Sequence, residues 1–406
     1  MTMINFIFDR IGPHGVVPNL VTRTDIIPKS QGWWNLAITP PYSYEFRFLR
    51  YMDIEHMEYN ITDIDHCDWY DELYVYPIWL NYFDPEIDYF SLIRPETLEK
   101  VREGLVRVVF FYSEGDDPTL DIIDRLCDMC DEYDIDAVTD IKFVIANRAC
   151  KDVDPFVYFA DDEVYYRYLH VINNTNYCKT VNLESRSKKF TCLSRTDKPF
   201  RKLFTASLHQ HGFLQDGYVS YNNEHYSTPS VEEPDETLNW NTYWNGSDEI
   251  YAQFDLLLPL KCDQLSSQDH NNHSLIQPEY YQDAHWNFVM ETHFDMKTTF
   301  ITEKTFKPIL NLQPFLLAGP PNSLKLLKEL GYKTFDGYID ESYDGEENNE
   351  KRLHFVFTEA YRIANAGHPG LQKLQEYIRP ILEYNQQHFL SSKRSRLEDV
   401  IKEIQQ

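Results

Sequence analysis

No stretch of about 18 consecutive apolar residues occurs in the chain, which excludes a membrane-spanning helix of ordinary length. The first residues carry no charged-then-apolar leader. The expectation is therefore a soluble protein of the cytoplasm, or of a host's cytoplasm if the source is viral. Cysteine offers no framework: Cys67, Cys127, Cys130, Cys150, Cys178, Cys192 and Cys262 make an odd count without regular spacing. That excludes a disulfide scaffold and fits a reducing compartment. Cys127-Asp-Met-Cys130 is a lone CxxC, incidental without a second pair or histidine ligands. Positive charge is scarce. Lys and Arg number 38 against 65 Asp and Glu, a formal net charge of −27. Such a surface repels nucleic acid and anionic membrane, which disfavours DNA and membrane as partners. A complete GxGxxG loop is missing too, because Gly12-Pro-His14-Gly15 after the first apolar run lacks the spacing.

What is present suits two α/β domains, for which 406 residues suffice. Residues 106–112 (VRVVFFY) predict a buried strand, residues 119–133 a helix with Leu120, Ile123, Leu126 and Cys127 at helical spacing, and residues 141–146 another strand. This βαβ order makes the N-terminal half Rossmann-like. Glu114, Asp116 and Asp117 follow the 106–112 strand, and Asp9 closes the first apolar run, so these acids stand at strand carboxyl ends. Asp65-His66-Cys67-Asp68 reads as an exposed acidic loop rather than a metal site. Residues 171–188 are polar and mark a domain boundary; residues 221–248 read as a polar excursion, and 371–406 as long helix broken at Pro380. The expected division is 1–185, 186–370 and a C-terminal helical segment 371–406.

The most informative stretch is 287–335. Glu291 sits on a predicted strand, and an apolar run leads into Thr302-Glu303-Lys304, a helix start with Thr302 as N-cap. Free backbone N–H groups there, with Lys304 and Lys307, suit a phosphate, while the Glu303 carboxylate suits the two hydroxyls of a ribose. On the tripeptide alone, an ordinary capped helix start is the commoner reading. Pro308 lies too deep for a first-turn proline, so a kink or early break is expected there. Upstream, Arg186, Lys188, Lys189, Arg195, Lys198, Arg201 and Lys202 form a basic cluster, either a local anion site or a solvated loop.

Phe300-Ile-Thr-Glu-Lys304 followed by Pro314-Phe-Leu-Leu-Ala-Gly319 resembles the donor-binding motif of the α1,3-fucosyltransferases. Phe190-Thr-Cys-Leu-Ser194 with Pro199-Phe-Arg201, and Asn287-Phe-Val-Met-Glu291, resemble two further blocks of that family. The three cover under half of the chain. Gly331-Tyr-Lys-Thr-Phe335 and Ile339-Asp-Glu-Ser-Tyr-Asp344 also resemble glycosyltransferase-like proteins of phages and large viruses. The resemblance implies a GT-B architecture, two Rossmann-like domains facing a central cleft, with the C-terminal helical segment 371–406 packing back on the N-terminal domain. It implies an inverting transfer from a nucleotide-diphosphate sugar to a glycan or other hydroxyl acceptor, with no metal and no further cofactor. By position, Arg201 would hold the diphosphate, Glu303 the ribose and Lys304 a phosphate, with Ser194, Arg195, Glu291, Thr292, Phe300, Thr302 and Lys307 lining the donor site. Thr292 departs from the family's Asn, so the sugar and base stay open. The general base would come from the first domain: Glu114 first, then Asp117 and Asp9. Asp161-Asp162-Glu163 offers the rival reading of a metal-binding, single-domain (GT-A) transferase. Two other functions stay open: transfer to hydroxymethylated pyrimidines of viral DNA, and a non-catalytic nucleotide- or sugar-binding protein.

Overall fold

The computed structural model describes residues 3–9, 11–12, 15–16, 47–69, 72–80, 87–112, 120–173, 175–224, 247–262, 276–295 and 299–406. The chain divides into two compact units, Met1–Tyr168 with Ser392–Gln406, and Leu169–Ser391. Each is α/β and is built on a parallel sheet.

In the first unit the strands are β1 (Ile4–Phe8), β4 (Tyr59–Asp63), β5 (Tyr74–Leu80), β6 (Val106–Tyr112), β7 (Ile141–Ile145) and β8 (Phe156–Tyr158); β2 (Ile11–Gly12) and β3 (Gly15–Val16) form a small separate hairpin. Their order is β4-β1-β5-β6-β7-β8, all parallel. Parallel strands are covered on both faces, and β6 is accordingly buried at every position. Val108 and Phe110 enter one core with Leu98, Val101, Leu126 and Met129, while Val109 and Phe111 enter the opposite core with Phe6, Phe8, Phe48 and Met52. That alternation is the period of two of a strand.

The C-terminal helix Arg394–Gln405 belongs to this unit. Its Leu397, Val400, Ile401 and Ile404, one face at helical spacing, complete the second of those cores. Buried charge fixes it. Glu163, with no exposed surface, meets Lys393 at 3.2 Å and Arg396 at 2.7 Å. Glu55 bonds Arg167 and the Ser392 hydroxyl beside them. Asp161 accepts from the Tyr51 hydroxyl at 2.9 Å. The Asp161–Glu163 acids thus start the helix Asp161–Asn173 and serve protein partners; among the described residues no group of three or more His, Cys, Asp or Glu could hold a metal ion. The expected break at Pro380 is corrected. The helix His368–Leu390 runs through it, because Leu371, Ile378, Leu382 and Phe389 stay buried on one face on both sides of the proline. The interruption comes at 391–393, where Lys393 turns in to Glu163.

The second unit holds β9 (Lys188–Thr196), β10 (Gly217–Glu224), β11 (Ala284–Met290) and β12 (Phe315–Ala318) in the order β10-β9-β11-β12, again all parallel. Both sheets start alike: second strand, first, third, fourth. Phe190 and Phe288 stack across β9 and β11 with centroids 4.5 Å apart, and a Cβ on Gly217 would fall 2.4 Å from the Phe190 ring, so glycine is required there. The division at 168/169 differs from the expected 185/186. The polar segment 175–186 packs on the second unit: the Cys178 N–H donates to Asn311 (3.1 Å), Gln386 to the Cys178 carbonyl (2.7 Å), and the Arg186 guanidinium to the carbonyls of Tyr281 and Asn182 (both 2.9 Å). The late blocks are structural as well. Glu341 accepts from the Phe335 N–H and the Thr334 hydroxyl, and Asp344 from the first N–H groups of the helix Ser323–Glu329.

Candidate functional site

In a parallel sheet wound this way, the strand order reverses between the first and third strands, and a crevice opens at their carboxyl ends. In the second unit those ends are Ser194-Arg195-Thr196 of β9 and Glu291-Thr292 after β11. Each strand feeds a helix, Pro199–Gln210 and Glu303–Leu310. All ten residues expected to line a donor site lie in these segments and the approach to the second helix.

Glu291 organises the turn. It is fully buried, and its carboxylate accepts from the Thr292 N–H (3.2 Å), the Thr302 N–H (3.2 Å), and the hydroxyls of Thr302 and Thr305 (both 2.5 Å). The acid therefore ties the end of β11 to the start of the next helix. Thr302 is the N-cap, as its position predicts, with its Oγ1 accepting from the Lys304 N–H at 3.4 Å. The helix extends two residues past Pro308 and stops at Leu310, the early end that a missing N–H favours. Gly319 closes the floor: a Cβ there would lie 2.9 Å from Ser323 Oγ and 3.5 Å from Glu291 Cγ.

Around this frame stand the charges. The Lys304 ammonium donates to Thr292 Oγ1 (2.8 Å), Glu303 Oε1 (3.0 Å) and Thr302 Oγ1 (3.2 Å). Its side chain is 30% exposed and that of Glu303 15%, so both border solvent. Arg201 is 3% exposed; one terminal nitrogen donates to the carbonyls of Met290 (3.2 Å) and Glu291, and Nε has no hydrogen-bond partner among the described residues. Burial brings its guanidinium down to about 10, against the pull of Glu291 and Glu303, with Arg195 adding to the decrease. Lys307, half-buried, is lowered by burial, opposed by Glu303 and reinforced by Lys304 and Arg195. Arg195, Arg201, Lys304 and Lys307 thus share one field with Glu291 and Glu303. Ser194 Oγ is a second buried polar atom there without a hydrogen-bond partner among the described residues. Buried polar groups are normally paired, so each such atom asks for a partner.

Several expectations are not met. Phe300 is 4% exposed and packs on the His293 ring (5.8 Å), a core role rather than a ligand surface. Of the basic cluster, Arg186 is buried, Lys189 binds Asp216 and the Ala364 carbonyl, and Lys202 pairs with Asp255. In the first unit, Asp9 is wholly buried and accepts from Thr97 Oγ1 (2.6 Å), the Tyr76 hydroxyl (2.9 Å) and the Arg94 N–H (3.2 Å). Burial raises its carboxyl and those bonds oppose the rise, but an acceptor hydroxyl has no access to it. Asp9 is corrected from candidate base to structural acid. Glu114, Asp116 and Asp117 lie outside the described residues. Two contributors escaped the sequence reading. Thr305, three residues after the N-cap, was signalled only by a second hydroxyl at that spacing. Arg352, 1% exposed, donates to the carbonyls of Gly319 (3.1 Å), Glu346 (2.7 Å) and Phe294, and nothing local announces it.

No family model matches the chain, and no curated protein matches it. Among solved structures, it is similar to the N-terminal domain of Candida albicans trehalose-6-phosphate phosphatase, at 9% sequence identity and a TM-score of 0.40, over 82% of this chain and 71% of that one.

Proposed function

We propose that the chain is a glycosyltransferase of GT-B type that takes a nucleoside-diphosphate sugar at the β9–β11 crevice. One observation carries the reading. Four cationic side chains meet there with two buried polar atoms, Ser194 Oγ and Arg201 Nε, that have no hydrogen-bond partner among the described residues. A diphosphate supplies both the charge and the acceptor oxygens that this set requires. Glu303, paired with Lys304 and bordering solvent, would accept from ribose hydroxyls in this reading. The two units, each a parallel α/β sheet, support the architecture.

In the proposed reaction, an acceptor hydroxyl attacks the anomeric carbon. The bond from that carbon to the diphosphate breaks, the nucleoside diphosphate leaves, and the hydroxyl proton passes to a base. Charge grows on the leaving diphosphate, and Arg201, Lys304 and their neighbours meet it with preorganised donors. The diphosphate would displace the longest Lys304 bond, the one to Thr302.

The test is a thermal shift against ADP, CDP, GDP and UDP, with and without EDTA. Linkage makes a ligand visible as a raised Tm. A shift that survives EDTA is expected; no shift with any of the four would overturn the site. Glu303→Ala is expected to lose the shift and keep the wild-type Tm, and a normal shift in that folded variant removes the ribose role. A second reading is a binder without chemistry. Release of free sugar from a bound nucleotide sugar separates the two, since a binder leaves its ligand intact.

A further inference from the structure

The family's motif places Asn where this chain has Thr292, and Thr292 here points its hydroxyl at the Lys304 ammonium, 2.8 Å away, the shortest of that ammonium's three bonds. We infer that Thr292 is a positioning residue: it acts on the nucleotide through Lys304, not by touching it. The inference rests on the reading of the site given above. An ammonium on a four-carbon stem is mobile, and it works as a directed charge only if its rotamer is held. Three acceptors hold it here. Thr302 is already committed, since its hydroxyl donates to Glu291 at 2.5 Å and also caps the Lys304 N–H. Glu303 is the group left for the ribose. Thr292 is the one holder whose other work is slight: its N–H makes a 3.2 Å bond to the Glu291 carboxylate, which a side-chain change leaves in place.

The arrangement also locks the cation to the strand. Glu291 ties its own strand end to the helix start through backbone and hydroxyl bonds, and Thr292 carries the same strand end to the side chain of that helix's second residue. The ammonium is thereby fixed relative to Arg201, which grips the Met290 and Glu291 carbonyls of the same strand end. The two cations are held at one spacing by one strand end, as a rigid diphosphate cradle requires.

The experiment is a double-mutant cycle on the full chain. Thr292→Val, Lys304→Met and the double variant are titrated with whichever of ADP, CDP, GDP and UDP binds the wild type, and Tm is recorded without ligand. Lys304→Met is expected to weaken affinity roughly tenfold or more, and Thr292→Val about three- to tenfold, the range for losing a charged and a neutral hydrogen-bond partner. In the Lys304→Met background, Thr292→Val is expected to do nothing further. Thr292→Ser, which restores the acceptor, is expected to recover wild-type affinity, and ligand-free Tm is expected to stay put throughout. Additive losses in the double variant, or failure of Ser to rescue, would overturn the positioning role while the nucleotide site stands. An unchanged affinity in Lys304→Met would sink the site and the inference together.

Discussion

The two sheets begin with the same winding, and each closes its first crevice with a buried acid, yet the two acids end in different circumstances. Asp9, after β1, takes three protein donors, and the charged neighbour Arg94 turns to Asp65 and the Asp9 carbonyl. Glu291, after β11, takes four, but in the same crevice Arg201 Nε and Ser194 Oγ stay without hydrogen-bond partners among the described residues. The difference teaches where to look for a ligand. A satisfied buried carboxylate builds a strand-to-helix joint in either unit. Only leftover donors around such a joint ask for something from outside.

The widest gap between the units is in what completes their cores. The first unit needs residues 392–406, from the far end of the chain. Leu397, Val400, Ile401 and Ile404 are each at most 3% exposed, and burying such side chains contributes roughly 1.5–3 kcal/mol apiece. Glu163 would also be left buried without Lys393 and Arg396. Ending the chain at Ser391 is therefore expected to unfold the first unit, since a domain's whole stability is about 5–15 kcal/mol. Hydrogen exchange reads each unit separately: protection in β1 and β6 should vanish while β9 and β11 keep theirs. Persisting protection in β6 would show that the helix is an ornament on that unit.

A smaller effect tests the two acids directly. Glu291→Ala strands two threonine hydroxyls and the Thr302 N–H, and Asp9→Ala strands the hydroxyls of Thr97 and Tyr76. Either loss is expected to destabilise its own unit by at least about 2–4 kcal/mol, at roughly 1–3 kcal/mol for each buried group left unsatisfied. The contrast lies in binding. Glu291→Ala should also abolish the nucleotide thermal shift, because the Thr302–Lys304 turn loses its anchor. Asp9→Ala should leave that shift intact wherever the protein stays folded. Equal losses of binding would erase the distinction between a joint and a joint beside a site.

Much of this was legible from local pattern. The strand β6 shows as an apolar run, β9 and β11 show in the blocks that carry the resemblance, and Thr302 shows as a cap because its hydroxyl stands before a charged first turn. Pro308 announces its helix's short span. The roles were less legible than the places. Glu291 and Phe300 lie in the matched blocks, but burial makes one a strut and the other core, and burial is a property of the assembled fold. Arg186 and Arg201 look alike in a basic cluster; one is spent on three carbonyls, among them that of Ala284 at the start of β11, while the other meets the carbonyls at the carboxyl end of β11, where the crevice opens. Pro380 failed as a breaker because its helix is held by packing on both flanks, which no short window of sequence contains. The helix Arg394–Gln405 is amphipathic in sequence, but nothing local says which unit owns its apolar face.

The last contrast is in acid. His170 and His285, both in the second unit, are 2% and 1% exposed. Burial, with Lys307 nearby, lowers His170 to about 4; burial, with Arg186 and His368 adding, lowers His285 to about 4 against the Gln375 hydrogen bond. In the unfolded chain each imidazole titrates near about 6.5. Between these values the unfolded chain binds protons that the folded unit refuses. The neutral histidines therefore contribute stability that is whole above pH 6.5 and is lost as pH falls toward 4, by up to about 1.4 kcal/mol per pH unit for each. In the first unit His66 has the opposite sign, since Asp63 holds its proton and raises it, but its ring is 82% exposed and its effect small. Lowering the pH from 7.5 to 5 should thus weaken exchange protection in β9 and β11 well before β1 and β6. His285→Gln should flatten that slope by about half. A second unit that holds its protection down to pH 5 would mean that these histidines are already protonated in the folded protein, and the closed packing around them would have to be abandoned.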